Sequence, residues 1–445
     1  MRFLTLFLIS LAGPSSAADL RSVVAAALER SPALAESRAR AKEARAAGAE
    51  ASYSRLPRLS ARGSAMRSDD PLFAFGALLQ ERRVTQADFA PDTLNRPGYR
   101  TVVHGALELG MPLFTAFEST RARELARLAV GEADALGGAA AQAVRLRATD
   151  GYVRGLKDRG LLAELEARIV SGQKEVESAE RLKKQGLVLG SDHQAALAIL
   201  SGLKAWRSRV AAEKAAHDAE LAVLVAGPAP EPVGALRDWA PAIEDDATLV
   251  AAALATRPDL RAAGLRVSQA GVRERGAMQS LLPVVDAFAS VETSADGLNA
   301  GAAGRLVGLR ASMPFGDPAY LARRGRARAA TQAVGASRAQ LEDAARAEVL
   351  GRAAGLRGVL AILPDLNESL ARAQQSLGLV RPLYREGRQS VMEVLRAEEA
   401  VARLQEARFE ALYRLRAEWA SLRAAQGRLD DEAVSVLALG MEDAR

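Results

Sequence analysis

The chain has three histidines, and their spacing offers no catalytic or metal-binding arrangement. His104 falls in a strand candidate. His193 and His217 lie far apart on one helical stretch, and Asp192, though adjacent to His193, points elsewhere on the helix. Cysteine is absent, which removes disulfides, thiol nucleophiles, cysteine metal sites and lipoprotein acylation. No glycine-rich phosphate loop, nucleophile elbow or HExxH pair is present. The sequence therefore argues against an enzyme and implies no cofactor and no metal. Polar side chains collect instead at two glycine-centred breaks between long helical stretches. The first is Gly186-Leu187-Val188-Leu189-Gly190-Ser191-Asp192. The second is Tyr384-Arg385-Glu386-Gly387-Arg388-Gln389-Ser390-Val391-Met392-Glu393-Val394-Leu395.

The elements that hold these breaks are long helices. Phe117 to Gly186 reads as one helix of roughly 70 residues, about 100 Å at a rise of ~1.5 Å per residue. It contains no proline and ends in Lys183-Lys184-Gln185-Gly186, cations and then a glycine stop. Its internal glycines, including Gly137-Gly138, weaken it locally. Leu162, Leu165, Ile169, Val176 and Ala179 form a narrow apolar seam of the coiled-coil type, which needs a partner helix. The stretch from about Ser191 to Val225 returns after a tight turn and supplies one.

Composition agrees with helix-on-helix packing. Hydrophobic residues make up 49% of the 445 but aromatics only 4%, so the apolar surface is small and aliphatic. The net charge of +6 comes from acids and bases interleaved along solvated helix faces, and no basic block is paired with aromatics for nucleic-acid binding. Met1-Arg2, the apolar run Phe3 to Ala12, and Pro14-Ser15-Ser16-Ala17 read as a secretory signal peptide over residues 1–18. No later apolar run is long enough for a transmembrane helix, so any membrane crossing must use strands.

The order of elements occurs twice. Leu20 to Arg30 and about Ala33 to Arg55 are helices, Arg58 to Met66 and Thr101 to Met111 are strands, and residues 67–99 between them read as a polar loop. Pro112-Leu113-Phe114 then leads into the long helix. A Pro-rich linker, 228–245, separates this first copy, 19–227, from a second over 246–427. There, strands near 284–292 and 303–313 precede a long helix from about Pro318 to Arg385 and a return helix from Val391 to Ala425. Pro32 and Pro258, like Pro57 and Pro283, stand 226 residues apart. In the last helix Leu412, Leu415, Trp419 and Leu422 continue the apolar seam. The tail, 428–445, begins with acids at Asp430-Asp431-Glu432 and is expected to be weakly ordered.

The strands alternate. Val103, Leu107, Leu109 and Met111 oppose His104 and Glu108. Val307, Leu309, Ala311 and Met313 oppose Arg310 and Ser312. This pattern suits a transmembrane barrel and equally a half-buried soluble sheet. Four strands cannot close a membrane barrel alone, so the membrane reading requires an oligomer.

With these features the chain resembles the TolC-like outer-membrane factors over nearly its whole mature length. The likeness rests on the repeat, the Leu-Pro entering each first strand, the Pro leaving each second strand and, most specifically, the two turns. It implies a mainly α fold with a membrane β part: two tandem repeats and a long coiled-coil helical barrel, with a trimeric twelve-stranded β-barrel. The implied function is a passive outer-membrane duct with a long periplasmic extension. Its partners would be a periplasmic adaptor (membrane fusion protein), an inner-membrane transporter and outer-membrane lipid. His104, Glu108 and Arg310 would face the barrel lumen. Gly186, Leu187, Val188, Gly190, Ser191, Gly387, Ser390 and Val391 would form the turns that meet the adaptor. Asp192 and Tyr384 match residues that lock the periplasmic tip. Gln389 stands where the family has an arginine, with Arg388 one residue earlier. Glu393 matches the first of two carboxylates at the constriction. Arg396 replaces the second, so the two pair internally and argue against strong cation selectivity. The competing reading is a periplasmic coiled-coil scaffold or adaptor without a pore. Two hairpins and alternating strands count against it.

Overall fold

A computed structural model describes residues 17–441, apart from 187, 299, 300 and 387. The expected signal peptide thus lies outside the described residues except for its last two. In chain order the elements are β1 (Ala17–Ala18), α1 (Leu20–Arg30), α2 (Pro32–Tyr53), β2 (Arg58–Ser68), α3 (Pro71–Gln80), α4 (Pro91–Asn95), β3 (Arg100–Thr115), α5 (Glu118–Lys184) and α6 (Gly190–Val225). They continue with β4 (Glu231–Pro232), α7 (Asp246–Thr256), α8 (Pro258–Met278), β5 (Val284–Ala295), β6 (Ala302–Ser312), α9 (Tyr320–Arg385), α10 (Val391–Ala425) and α11 (Asp431–Leu439). The chain divides into a helical unit (Met1–Ala39, Asp134–Ala262, Arg338–Arg445) and a strand-bearing unit (Arg40–Ala133, Ala263–Ser337).

The helical unit is built on the two hairpins α5–α6 and α9–α10. The seam residues Leu165, Val176 and Ala179 are buried, as are Leu412, Leu415, Trp419 and Leu422. Two α5 glycines do more than weaken the helix. A Cβ on Gly155 would stand 2.8 Å from Pro232 Cγ, and one on Gly160 would stand 2.8 Å from Phe409 Cε1. Only a residue without a side chain allows these approaches. α9 accommodates Pro364 and Pro382 within its run.

The segment 228–245 is strapped to the helices. β4 pairs in parallel with β1, and the Tyr152 hydroxyl donates to the Val233 carbonyl at 2.6 Å. Arg159 donates to the carbonyls of Pro232 and Gly234.

The tail departs from the expectation of weak order. Asp430 caps α11 by accepting from Ala433 N–H at 2.9 Å. Val434 and Leu437 then enter the core with Leu429 and Met441, among α1 and α10 residues such as Leu20 and Leu412. The acidic triplet is a capped helix start, and the apolar residues behind it repeat at helical spacing.

Arg257, at the α7–α8 junction, pairs with Asp259 and Glu348 at 2.7 Å each and donates to the Ala425 carbonyl at 3.1 Å. Burial opposes ionisation of Asp259, but hydrogen bonds and charge from Arg257 outweigh it and hold the carboxyl below its usual range. A depressed folded value means the stabilisation is present above the unfolded carboxylate pKa of about 3.9 and is lost as pH falls through the folded value. Urea melts across that acid range are expected to show a shallower pH dependence for Asp259→Asn than for the unmodified chain. Parallel curves would show that this carboxylate carries none of it.

The strand-bearing unit holds one antiparallel sheet in the order β2-β3-β5-β6. Pro112 does not end the second strand. β3 absorbs it at a register shift between Pro112 and Phe114 and continues to Thr115. Residues 67–99 are not a plain loop either. Asp70 accepts from Phe73 N–H at 2.9 Å and Pro71 takes the first helical position, so α3 forms. Pro91 likewise stands at the start of α4, there without a side-chain cap.

Candidate functional site

Each unit carries part of the predicted site. In the helical unit, the ends of α5 and α9 and the starts of α6 and α10 share one apolar cluster that includes Val176, Ala179, Ala196, Tyr384, Val391 and Leu395. Gly186 ends α5 in the left-handed region with φ of 74°. Gly190 and Ser191 open α6 and are exposed, and Val188 is half-buried. Leu187 and Gly387 lie outside the described residues.

Among the described residues the two turns meet through a hydrogen bond from the Ser390 hydroxyl to the Asp192 carboxylate at 3.3 Å. Ser390 also caps α10 by accepting from Met392 N–H at 3.2 Å. Tyr384 is buried, and its hydroxyl donates to the Glu175 carbonyl at 3.4 Å rather than to Asp192. Burial, and then the nearby Glu175 charge, push the Tyr384 hydroxyl pKa up. Val391, expected on the contact surface, is buried because it heads the α10 seam. Arg388 pairs with Glu386 at 3.3 Å, and Gln389 is exposed. Glu393 and Arg396 pair with each other at 3.2 Å.

Behind the tip lies a network that the sequence reading missed. Glu398 is fully buried and accepts from Arg168 at 3.1 Å, from Ser171 at 2.8 Å and from Arg381. Arg381 also reaches Glu175 at 3.6 Å. Three helices, α5, α9 and α10, are thereby tied through one carboxylate. A signal for it exists: Val391, Val394, Glu398 and Val401 step by three, four and three, so Glu398 occupies a core position of the seam. His193 is buried one turn into α6 and contacts Glu180 of α5 at 2.9 Å, closing the first hairpin.

In the strand-bearing unit the register separates the two faces. Leu59, Leu107, Leu109, Val291, Val307 and Leu309 share one face, and all are open: Leu59 is 71% exposed and Val307 80%. His104, Glu108 and Arg310 share the other face. His104 Nδ1 lies 3.1 Å from the Ser294 hydroxyl, Glu108 lies 4.0 Å from Arg62, and the Arg310 guanidinium sits 5.0 Å from the Phe288 ring centre. A cavity of about 980 Å³ opens on this polar face, lined by Arg58, Glu108, Arg273, Asp286, Phe288 and Arg310. β2 and β6 each have one edge without a partner strand among the described residues. No described helix is long and apolar enough to cross a membrane.

Known structures share this arrangement. The outer membrane protein VceC of Vibrio cholerae superposes with a TM-score of 0.73 at 20% identity, covering 92% of this chain and 96% of its own. CusC, whose structures describe folding and transmembrane channel formation, gives 0.76 at 17% identity, covering 94% and 95%. The Campylobacter jejuni CmeC outer membrane channel gives 0.76 at 14% identity, covering 95% and 90%. The chain has the fold of these outer-membrane channels. No protein-family model and no curated protein sequence matches it.

Proposed function

We propose that the chain is one subunit of a homotrimeric outer-membrane channel. It would serve as the passive exit duct of a tripartite export system fed by an inner-membrane transporter through a periplasmic adaptor. The carrying observation is the sheet: a mainly apolar face open to its surroundings, broken by Arg305 opposite Val291, a charged opposite face and two edges unpaired among the described residues. Unpaired backbone groups are costly in lipid, and closure with other copies removes the edges. Three copies give twelve strands, with His104, Glu108 and Arg310 on the inner wall and the apolar face on lipid. The two similar halves of the chain are a tandem duplication in this reading. The turns at 186–192 and 384–395 form the periplasmic tip, where the adaptor docks, and no catalytic step is involved.

The test is fractionation followed by planar-bilayer recording. The mature protein is expected in outer-membrane fractions as a heat-resistant trimer with discrete single-channel openings. Glu393→Ala frees Arg396 at each of three tips, so ion selectivity is expected to move toward anions. Recovery as a soluble monomer would sink the channel reading in favour of a periplasmic scaffold. An unchanged selectivity would move the constriction away from Glu393.

A further inference from the structure

α3 lies on the polar face of the sheet. Its residues Ala74, Ala77 and Glu81 are buried, and they fall on one side of the helix. Glu81 accepts from Arg100 at 2.8 Å, and the Ser294 hydroxyl donates to Gln80 at 3.4 Å. Ser294 also contacts His104, and the buried Val102 stands two residues earlier on the same strand face. Val102, His104 and Ser294 belong to the face that carries Glu108 and Arg310. The segment is fastened further by Arg82, which donates to the Ala303 carbonyl at 3.0 Å, and by Arg83, which pairs with Asp296.

The opposite side of α3 presents exposed leucine. Leu72 is 86% exposed and Leu79 54%, and Gly76 lies between them. The helix, Pro-Leu-Phe-Ala-Phe-Gly-Ala-Leu-Leu-Gln, carries no charge. This is an odd surface to direct into water, and the polar sheet face beneath it rules out a bed of lipid.

Resting on the channel reading, we propose that α3 forms a second, apolar constriction at the outer mouth, closed by contact between three copies of this helix. An α-helix with side chains is about 10–12 Å across, so α3 projects by about that much from the inner wall. Eight-stranded barrels are filled by side chains alone, and barrels of about 16–18 strands leave an open channel. A twelve-stranded wall bearing three inward helices lies between these limits, and the helices converge on the axis. Leu72 and Leu79 then meet only their own copies.

The absence of cysteine makes the test direct. Leu72→Cys in membrane trimers is expected to cross-link copies through a short bis-maleimide, whereas Leu59→Cys on the apolar sheet face is not. In intact cells, Ser60→Cys, on the polar face, is labelled from outside with a maleimide on a polyethylene glycol chain too large for the outer membrane. Labelling is expected to be slow with α3 unaltered and several-fold faster with Leu72→Ser and Leu79→Ser together. Both leucines are exposed, so their loss leaves the fold intact. Equal labelling rates, or no Leu72→Cys cross-link in an intact trimer, overturn the outer constriction and leave the channel standing. A chain recovered only as a soluble monomer overturns both.

Discussion

A chain truncated after Gly427 is expected to fail as a folded protein. The lost segment carries Leu429, Val434, Leu437 and Met441, each 2% exposed or less. Burying each of these side chains stabilises by about 1.5–3 kcal/mol. Their sum is comparable to the whole stability of a typical domain, about 5–15 kcal/mol. Truncation also removes the Gly440 carbonyl, which accepts from Arg416 at 2.9 Å. Arg416 is fully buried, and its other hydrogen bonds run to the carbonyls of Leu412 and Arg237, with its guanidinium 5.8 Å from the Trp239 ring centre. Burial pushes its pKa down to about 10, so it remains charged at neutral pH. Loss of one acceptor leaves a buried cation short of partners. The milder variant Leu437→Ala is expected to cost about 2–5 kcal/mol, read as a drop of several degrees in the thermal midpoint. A truncated chain that melts with the full-length one would show that the tail contributes nothing.

The second large effect is expected at Glu398. Replacing it with leucine removes the acceptor that Arg168, Ser171 and Arg381 share, leaving Arg168 only Glu164 at 2.6 Å and Arg381 only Glu175 at 3.6 Å as carboxylate partners. Breaking a buried pair by removing one partner costs about 3–5 kcal/mol. Replacing Glu398 and Arg381 together by methionine should recover part of that loss, because the uncompensated charge leaves with its partner. The check is a double-mutant cycle by denaturant melts, with bilayer recordings of each variant. If the network also steadies the tip, Glu398→Leu opens more often. A cycle with no coupling would show that the Glu398–Arg381 contact contributes nothing to stability.

The long helices and both hairpins were legible because their signals are local and long: seam periodicity, glycine stops and proline breaks. The strands were legible from alternation, but not their environment, since a soluble sheet has the same period. α3 was hidden by prolines that read as loop markers but stand at first helical positions. The tail was hidden by an acidic triplet that caps a helix. At the tip, sequence matched Asp192 and Tyr384 as a lock, whereas Asp192 meets Ser390 and Tyr384 turns to the Glu175 carbonyl, because a tyrosine on a helical seam fits both a core and a gate. Glu398 was visible only as a polar residue out of place in a seam. That it is paired rather than solvated depends on Arg168 and Ser171 of α5, more than 200 residues away in sequence, and on Arg381 across the α9–α10 turn.

α1 and α11 pack on each other in one cluster with α10, although about 400 residues separate them. The consequence is one of timing. On the proposed outer-membrane reading, a chain still threading through an inner-membrane translocase has its first helix outside and its last helix inside, so this cluster cannot close. The α5, α6 and α10 residues that share this cluster must wait unburied, and exposed apolar surface is what holding chaperones bind. On that reading the contact between the two ends marks completion of export: native packing of this cluster becomes available only when the whole chain has arrived on one side.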